Sequence, residues 1–410
     1  MDFTTNGTLG KNSTVTNGYT GETFSVAGKR GSTGIFTASG GDTTLYGDTF
    51  AANLNDAFIY DFTIGGTNAL RFSGITEFNL GAGDDLLDLT VRPANAASAY
   101  TTNVTAYGGV GDDVIWGGDG RDTLYGDVSA LSGQGGDDVV RGGGSSNTLY
   151  GDAYTIIEDG QGGDDQLSAD GAPSRTTGED MYGDAYSILA GGSGGDDMIY
   201  GASGNDLMKG DAYSLYGTGG NDQIWGYDGP DEMYGDAVYI YDGGVGGDDT
   251  LWGGDGRDTL RGDAVYLNTG STAGDDELHG GAGNDTLYGE GDYLRTSVTG
   301  GNDILAGGAG NDALYGEAKT RDSGSIGGND TFVFAPDGGV DTIHDFGFGD
   351  DVIDVTAWGF TGIDNLTIEN NASASVTVRF DADNYVTVNH HAGQNLTLTA
   401  DDFVFTAPLP

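Results

Sequence analysis

A nine-residue unit recurs down most of this chain, and its phase is the strongest constraint on the fold. Gly253-Gly254-Asp255-Gly256-Arg257-Asp258-Thr259-Leu260-Arg261 and Gly280-Gly281-Ala282-Gly283-Asn284-Asp285-Thr286-Leu287-Tyr288 both read G-G-x-G-x-D-x-U-x, with U a large apolar residue. Counted by the sixth-position Asp, one series runs Asp113, Asp138, Asp165, Asp197, Asp222, Asp249, Asp276, Asp303 and Asp330, and from Asp222 onward every step equals three nonapeptides. A second series trails most of its members by one nonapeptide: Asp122, Asp206, Asp231, Asp258, Asp285 and Asp312. Asn147 and Asp180 take the corresponding places in less regular repeats, Asp180 after an insertion around Pro173. Two positions past each Asp stands an apolar residue, among them Ile115, Leu124, Leu251, Leu260, Leu278 and Leu287. No single unit buries its own apolar residue, so stability must come from stacked neighbours.

A third segment separates the pairs and lacks the Asp turn. It begins Gly-Asp at Gly151-Asp152, Gly183-Asp184, Gly210-Asp211, Gly235-Asp236 and Gly262-Asp263, with Glu290 and Glu317 in place of the Asp later. It continues as a short β-prone run such as Val238-Tyr239-Ile240-Tyr241. In the nonapeptide itself, glycine permits positive φ and close approach of neighbouring coils. Glycine carbonyls and the Asp carboxylate together form an all-oxygen shell of the kind calcium prefers. The x-U-x triplet then makes a brief strand with one side chain inward. Asp85, in the degenerate unit Gly83-Asp84-Asp85-Leu86-Leu87, joins the two Asp series as an expected calcium ligand.

Two windings satisfy this register. In a two-sheet roll two nonapeptides complete a turn, and Asp258 would share an ion with Asp276. In a three-edged coil three nonapeptide lengths complete a turn, like motifs stack on like, and Asp258 pairs with Asp285. The two-nonapeptide gap between Leu260 and Leu278 favours the roll, which is the expected winding. The flanks differ from the array. Residues 1–44 are rich in Thr, Asn and Gly and form an N-terminal cap or assembly segment; residues 45–107 hold degenerate coils. Residues 108–335 are the calcium-binding array. Residues 336–410 are the expected C-terminal cap; within them residues 363–405 alternate as strands, notably Ser375-Val376-Thr377-Val378-Arg379-Phe380 and Tyr385-Val386-Thr387-Val388, an antiparallel unit that protects an open solenoid end from edge-to-edge aggregation.

Composition supports the same class. The 410 residues carry a formal charge of -49, with 64 Asp and Glu against 15 Lys and Arg. Such a chain repels itself without counter-ions, so it is expected to be unfolded without metal and folded with it. The sign of the charge argues against nucleic acid as a partner, because phosphate binding needs Lys and Arg. Cysteine is absent, so disulfides do not staple the fold. Residues 1–20 lack the basic start and apolar core of a cleaved signal peptide, and no stretch is long and apolar enough for a membrane span.

The chain resembles the RTX, or haemolysin-type, calcium-binding repeat proteins of Gram-negative bacteria, strongly over about residues 80–335. Asp341-Thr342-Ile343-His344-Asp345-Phe346, Gly349-Asp350-Asp351-Val352-Ile353-Asp354 and the closing Leu396-Thr397-Leu398-Thr399-Ala400-Asp401-Asp402-Phe403-Val404-Phe405 are similar to end-of-array sequences of that family. The resemblance implies an all-β, right-handed parallel β-roll or β-solenoid, multiple bound calcium ions, and type I secretion through an uncleaved C-terminal signal. Family members usually carry an effector domain before the array; the residues preceding this array show no catalytic constellation.

Other chemistries are weaker. Gly191-Gly192-Ser193-Gly194-Gly195 matches G-x-S-x-G, but glycine-rich turn flanks it where a strand and a helix are required. The four His residues, His279, His344, His390 and His391, form no H-E-x-x-H motif, and His390-His391 suits a strand end better than a metal. Acid pairs such as Asp137-Asp138 read as a turn residue followed by a calcium ligand rather than as a glycosidase pair. The series Tyr125, Tyr150, Tyr182, Tyr234, Tyr288 and Tyr315 predicts an aromatic ladder, either stacked coil to coil or serving as a sugar or subunit platform. The expectation is a secreted, non-enzymatic calcium-binding structural protein of the cell surface or matrix that forms a homo-oligomer or polymer, the alternative being a polysaccharide-binding module or polysaccharide-modifying enzyme.

Overall fold

A computed structural model describes residues 76–90, 102–169, 178–336, 338–391 and 393–406 in full, and before residue 76 the backbone of the strands alone. The expected side-chain roles of the N-terminal segment and the insertion around Pro173 therefore lie outside the described residues.

Each repeat lays down three short strands, and each of them joins its own parallel sheet. In one repeat they are Thr250–Gly256, Thr259–Arg261 and Ala264–Leu267; in the next, Glu277–Gly283, Thr286–Tyr288 and Gly291–Leu294. Leu251 pairs with Leu278 in the first sheet, Leu260 with Leu287 in the second, and Leu267 with Leu294 in the third. The solenoid is thus all-β and parallel, and one turn spans three nonapeptide lengths in these regular repeats. The expected two-nonapeptide roll is corrected: Leu260 stacks on Leu287, and the Asp258 amide donates to the Asp285 carboxylate at 2.8 Å.

The third segment is the physical reason for this winding. The first two sheets face each other and enclose one apolar column, which includes Leu251, Leu260, Leu278 and Leu287. That lobe alone resembles a two-sheet roll. Residues 264–273 leave one corner of it as an arm and bury a second column, including Ala264, Leu267 and Leu294. The Asp263 carboxylate accepts the Gly274 amide at 3.0 Å and ties the two ends of the arm together. Each fully buried Leu or Ile contributes about 1.5–3 kcal/mol, but only with a rung above and below it.

The C-terminal end turns antiparallel. Thr367–Glu369, Ser375–Arg379 and Tyr385–His390 form a meander, and Tyr385–His390 also runs parallel to Val340–Phe346, extending the second sheet. Phe403–Val404 pairs with Val352–Asp354 at the end of the first sheet. Trp358 and Phe334 pack on Phe380, with ring centroids 5.2 and 5.6 Å apart, so aromatic side chains plug the open end. At the other end Asn12–Asn17, Thr23–Lys29 and Ser32–Thr37 are antiparallel, and Ser32–Thr37 pairs in parallel with Ile75–Ala82.

Candidate metal centres

The two Asp series form two separate ladders, one at each end of the first strand of the repeat. In the first, each backbone amide donates to the carboxylate of the Asp one rung on: Asp85 to Asp113 at 2.6 Å, Asp113 to Asp138 at 2.6 Å, Asp138 to Asp165 and Asp165 to Asp197 at 2.7 Å. The chain of contacts continues through Asp222, Asp249, Asp276 and Asp303 to Asp330. In the second, Asp206, Asp231, Asp258, Asp285 and Asp312 repeat the arrangement at 2.8–2.9 Å, with Asp122 further up the same edge. All sixteen carboxylates proposed from the sequence are at most 3% exposed. The structure brings them together within each ladder, and it keeps the two ladders apart.

One contact corrects the sequence reading. Glu179, not Asp180, fills the irregular rung of the second ladder: the Asn147 amide donates to its carboxylate, and its own amide donates to Asp206 at 2.7 Å. Asp180 is instead the first residue of the strand Asp180–Tyr182, paired with Thr148, and it forms an ion pair with Lys209. The insertion before it obscures the register by one position. Both ladders also run past Asp330. Asp341 accepts from the Asp312 amide at 2.9 Å and Asp351 from the Asp330 amide at 3.2 Å. The signal for these two is present in the sequence, because Ile343 and Ile353 follow them at the repeat spacing. A third set, the arm acids that include Asp152, Asp236, Asp263 and Glu290, is fully buried and carries no nonapeptide signal for ligation.

From Asp113 onward each ladder carboxylate commits one oxygen to a backbone amide of the preceding rung. The other oxygen is buried without a hydrogen-bond partner in Asp113, Asp138, Asp249, Asp258, Asp276 and Asp285 alike. A single orphaned group of this kind costs about 1–3 kcal/mol, so a whole row of them marks a missing counter-charge. Burial drives the same carboxyls upward: Asp113 to about 8, Asp285 to about 7 and Asp258 to about 6, in each case against the lowering effect of the amide bond. For Asp138, raised to about 10, the neighbouring Asp165 charge adds to burial. Glycine makes the geometry possible. A Cβ on Gly262 would lie 1.8 Å from the Gly289 carbonyl oxygen and 2.0 Å from Asp276 Oδ2. An all-oxygen set with orphaned carboxylate oxygens fits calcium.

These features define a class, the parallel β-solenoid whose rungs are joined by rows of buried carboxylates that are candidate cation ligands. The chain belongs to the RTX calcium-binding nonapeptide repeat family, whose four-copy model matches residues 105–128, 130–153, 192–212, 214–237, 243–264, 271–293 and 297–318. Calcium is therefore the cation of these repeats, in multiple copies. No curated protein matches the chain.

The remaining candidates have other surroundings. Ser193 bridges Gln161 and Thr218 in the loop of the arm, with no helix behind it. His279 stacks on Trp252 and bonds Glu277, His344 stacks on Tyr315, and His390 closes a strand with its ring against His391. Tyr125 stacks on Tyr150 at 4.6 Å and Tyr150 on Tyr182 at 4.8 Å; Tyr288 stacks on Tyr315 at 4.7 Å. Lys209 lies over Tyr182, and Arg261 over Tyr234 and Tyr288, filling the gaps between the rings. All of this Tyr series except Tyr315 is buried, so it serves as coil-to-coil stacking rather than an open platform. No helix among the described residues is long and apolar enough to cross a membrane.

Proposed function

We propose that this protein is a secreted structural component of the cell surface or extracellular matrix, a surface-layer, filament or adhesion subunit that folds and assembles when it meets calcium outside the cell. The observation that carries this reading is the row of buried, half-satisfied carboxylates along both edges of the solenoid. In a calcium-poor interior those charges keep the chain expanded; at extracellular calcium, sites of about 10⁻⁴–10⁻³ M affinity fill and the rungs close. Scaffold accounts for nearly all of the described chain, which supports a role without catalysis. The test is a calcium titration followed by circular dichroism, light scattering and electron microscopy. Strand signal and ordered polymers should appear together, whereas a calcium-loaded chain that stays monomeric at high concentration would count against assembly. Screening on alginate-like polymers should show no turnover.

A second reading, polysaccharide binding, draws on one observation. Tyr200, Trp225, Trp252 and His279 stack in a continuous, half-buried stripe on the outside of the first sheet. A glycan array comparing the native chain with Trp225→Ala and Trp252→Ala separates the readings, since only a sugar-binding stripe loses signal on substitution.

A further inference from the structure

The arm acids stand apart from the nonapeptide turns, yet they point at the first Asp ladder. Asp263, Asp276 and Glu290 each offer a carboxylate oxygen, and these atoms lie within 4.8 Å of one another. Asp263 comes from the base of one arm, Asp276 from the ladder, and Glu290 from the base of the next arm. All three are at most 2% exposed. Each has one committed oxygen: Asp263 accepts the Gly274 amide at 3.0 Å, Asp276 the Asp249 amide at 2.8 Å, and Glu290 the Gly301 amide at 2.6 Å. Each has one orphan: Asp263 Oδ2, Asp276 Oδ2 and Glu290 Oε2 are buried and unpartnered. Three buried carboxylates held this close repel strongly unless positive charge sits among them. Among the described residues no basic side chain bonds any of the three; Arg261, the nearest in sequence, pairs with Glu232 and Asp292 instead.

We infer that the arm acids build a second class of cation site, in which the acids of two successive arms and one ladder Asp hold a calcium ion in the seam between the two apolar columns. The inference rests on the calcium reading above and adds to it a site that the nonapeptide pattern does not contain. The nonapeptide edge offers each ion ladder carboxylates and glycine carbonyls. The seam adds arm carboxylates to its ladder Asp, and calcium affinity rises with ligand charge and rigidity. The seam ions bind first, and they lock each arm to the roll. The motif repeats along the array, because Asp152, Asp184, Asp211, Asp236 and Glu317 are equally buried and each keeps an orphan oxygen.

The experiment uses the full chain and calcium alone. Competition with a chromophoric chelator, with native mass spectrometry to count ions, is run on the native protein, on Asp263→Asn with Glu290→Gln, and on Asp258→Asn with Asp285→Asn. The native chain should show two classes of site, about tenfold or more apart. The arm pair should lose ions from the tighter class, and the turn pair only from the weaker. A native chain with a single class of site, or an arm pair that keeps the full tight count, overturns the inference while leaving calcium-driven folding intact. A native chain that binds no calcium overturns both. Should the arm pair fail to fold, the count of classes on the native chain decides.

Discussion

Gly262 stands where two ladders of backbone and one of carboxylates converge, and the space left beside it is smaller than a methyl group. Alanine there would press on the Gly289 carbonyl and on Asp276 at once. The expected outcome for Gly262→Ala is a destabilisation of about 1–3 kcal/mol or more, since the Gly289 carbonyl is backbone and the buried Asp276 carboxylate is held by the Asp249 amide. It should appear as a higher calcium midpoint by circular dichroism. Gly133 is the matched control: it is exposed, with nothing within 4 Å of the place an added methyl would take, so Gly133→Ala should leave the midpoint unmoved. Equal effects at the two positions would mean that glycine serves chain flexibility here rather than the close approach of rungs.

The arm and the cap each solve a problem set by the strands beside them. An arm strand such as Ala264–Leu267 buries its two ends and leaves Val265 and Tyr266 half-buried, so it needs the next arm for cover. The cap answers the open end of the first two sheets, where Val340–Phe346 and Val352–Asp354 would otherwise present unpaired edges. Ending the chain at residue 335 is therefore expected to yield calcium-loaded protein that associates edge to edge. Electron micrographs should show irregular aggregates at concentrations where the full chain remains dispersed or ordered. A truncated chain that stays as dispersed as the full one would assign the meander a role other than protection.

Over the molecule as a whole, 64 acidic residues oppose 15 basic ones, and burial concentrates part of that charge inside the coil. The consequence for pH can be signed. Asp113 and Asp231, each raised to about 8 by burial, and Asp258, raised to about 6, hold protons in the metal-free coil that the unfolded chain releases near its ordinary carboxyl range. The folded state thus binds more protons between about pH 4 and pH 8, and metal-free stability falls as pH rises through that window. Calcium competes with those protons, so its affinity rises over the same window. Metal-stripped protein should accordingly show more strand signal at about pH 4.5 than at about pH 8, and calcium should restore the signal at the higher pH with release of protons. Identical spectra at both values would mean that the carboxyls do not titrate with folding.

Much of this is legible in the sequence. The Asp-x-U phase identifies both ladders, the buried leucines and the cation, because each nonapeptide encodes its own turn through glycine φ angles and its own inward residue through strand alternation. Asp341 and Asp351 carry the same phase and need only be followed further. The winding is not legible: on local grounds Leu260 stacks as well on Leu278 as on Leu287, and the choice falls to the arm, whose apolar column is buried only when arm lies on arm. Nor does any local pattern aim Asp263 and Glu290 at Asp276. Spacing along a chain prescribes the shape of a turn, whereas the meeting of three carboxylates from separate segments depends on how whole rungs close over one another.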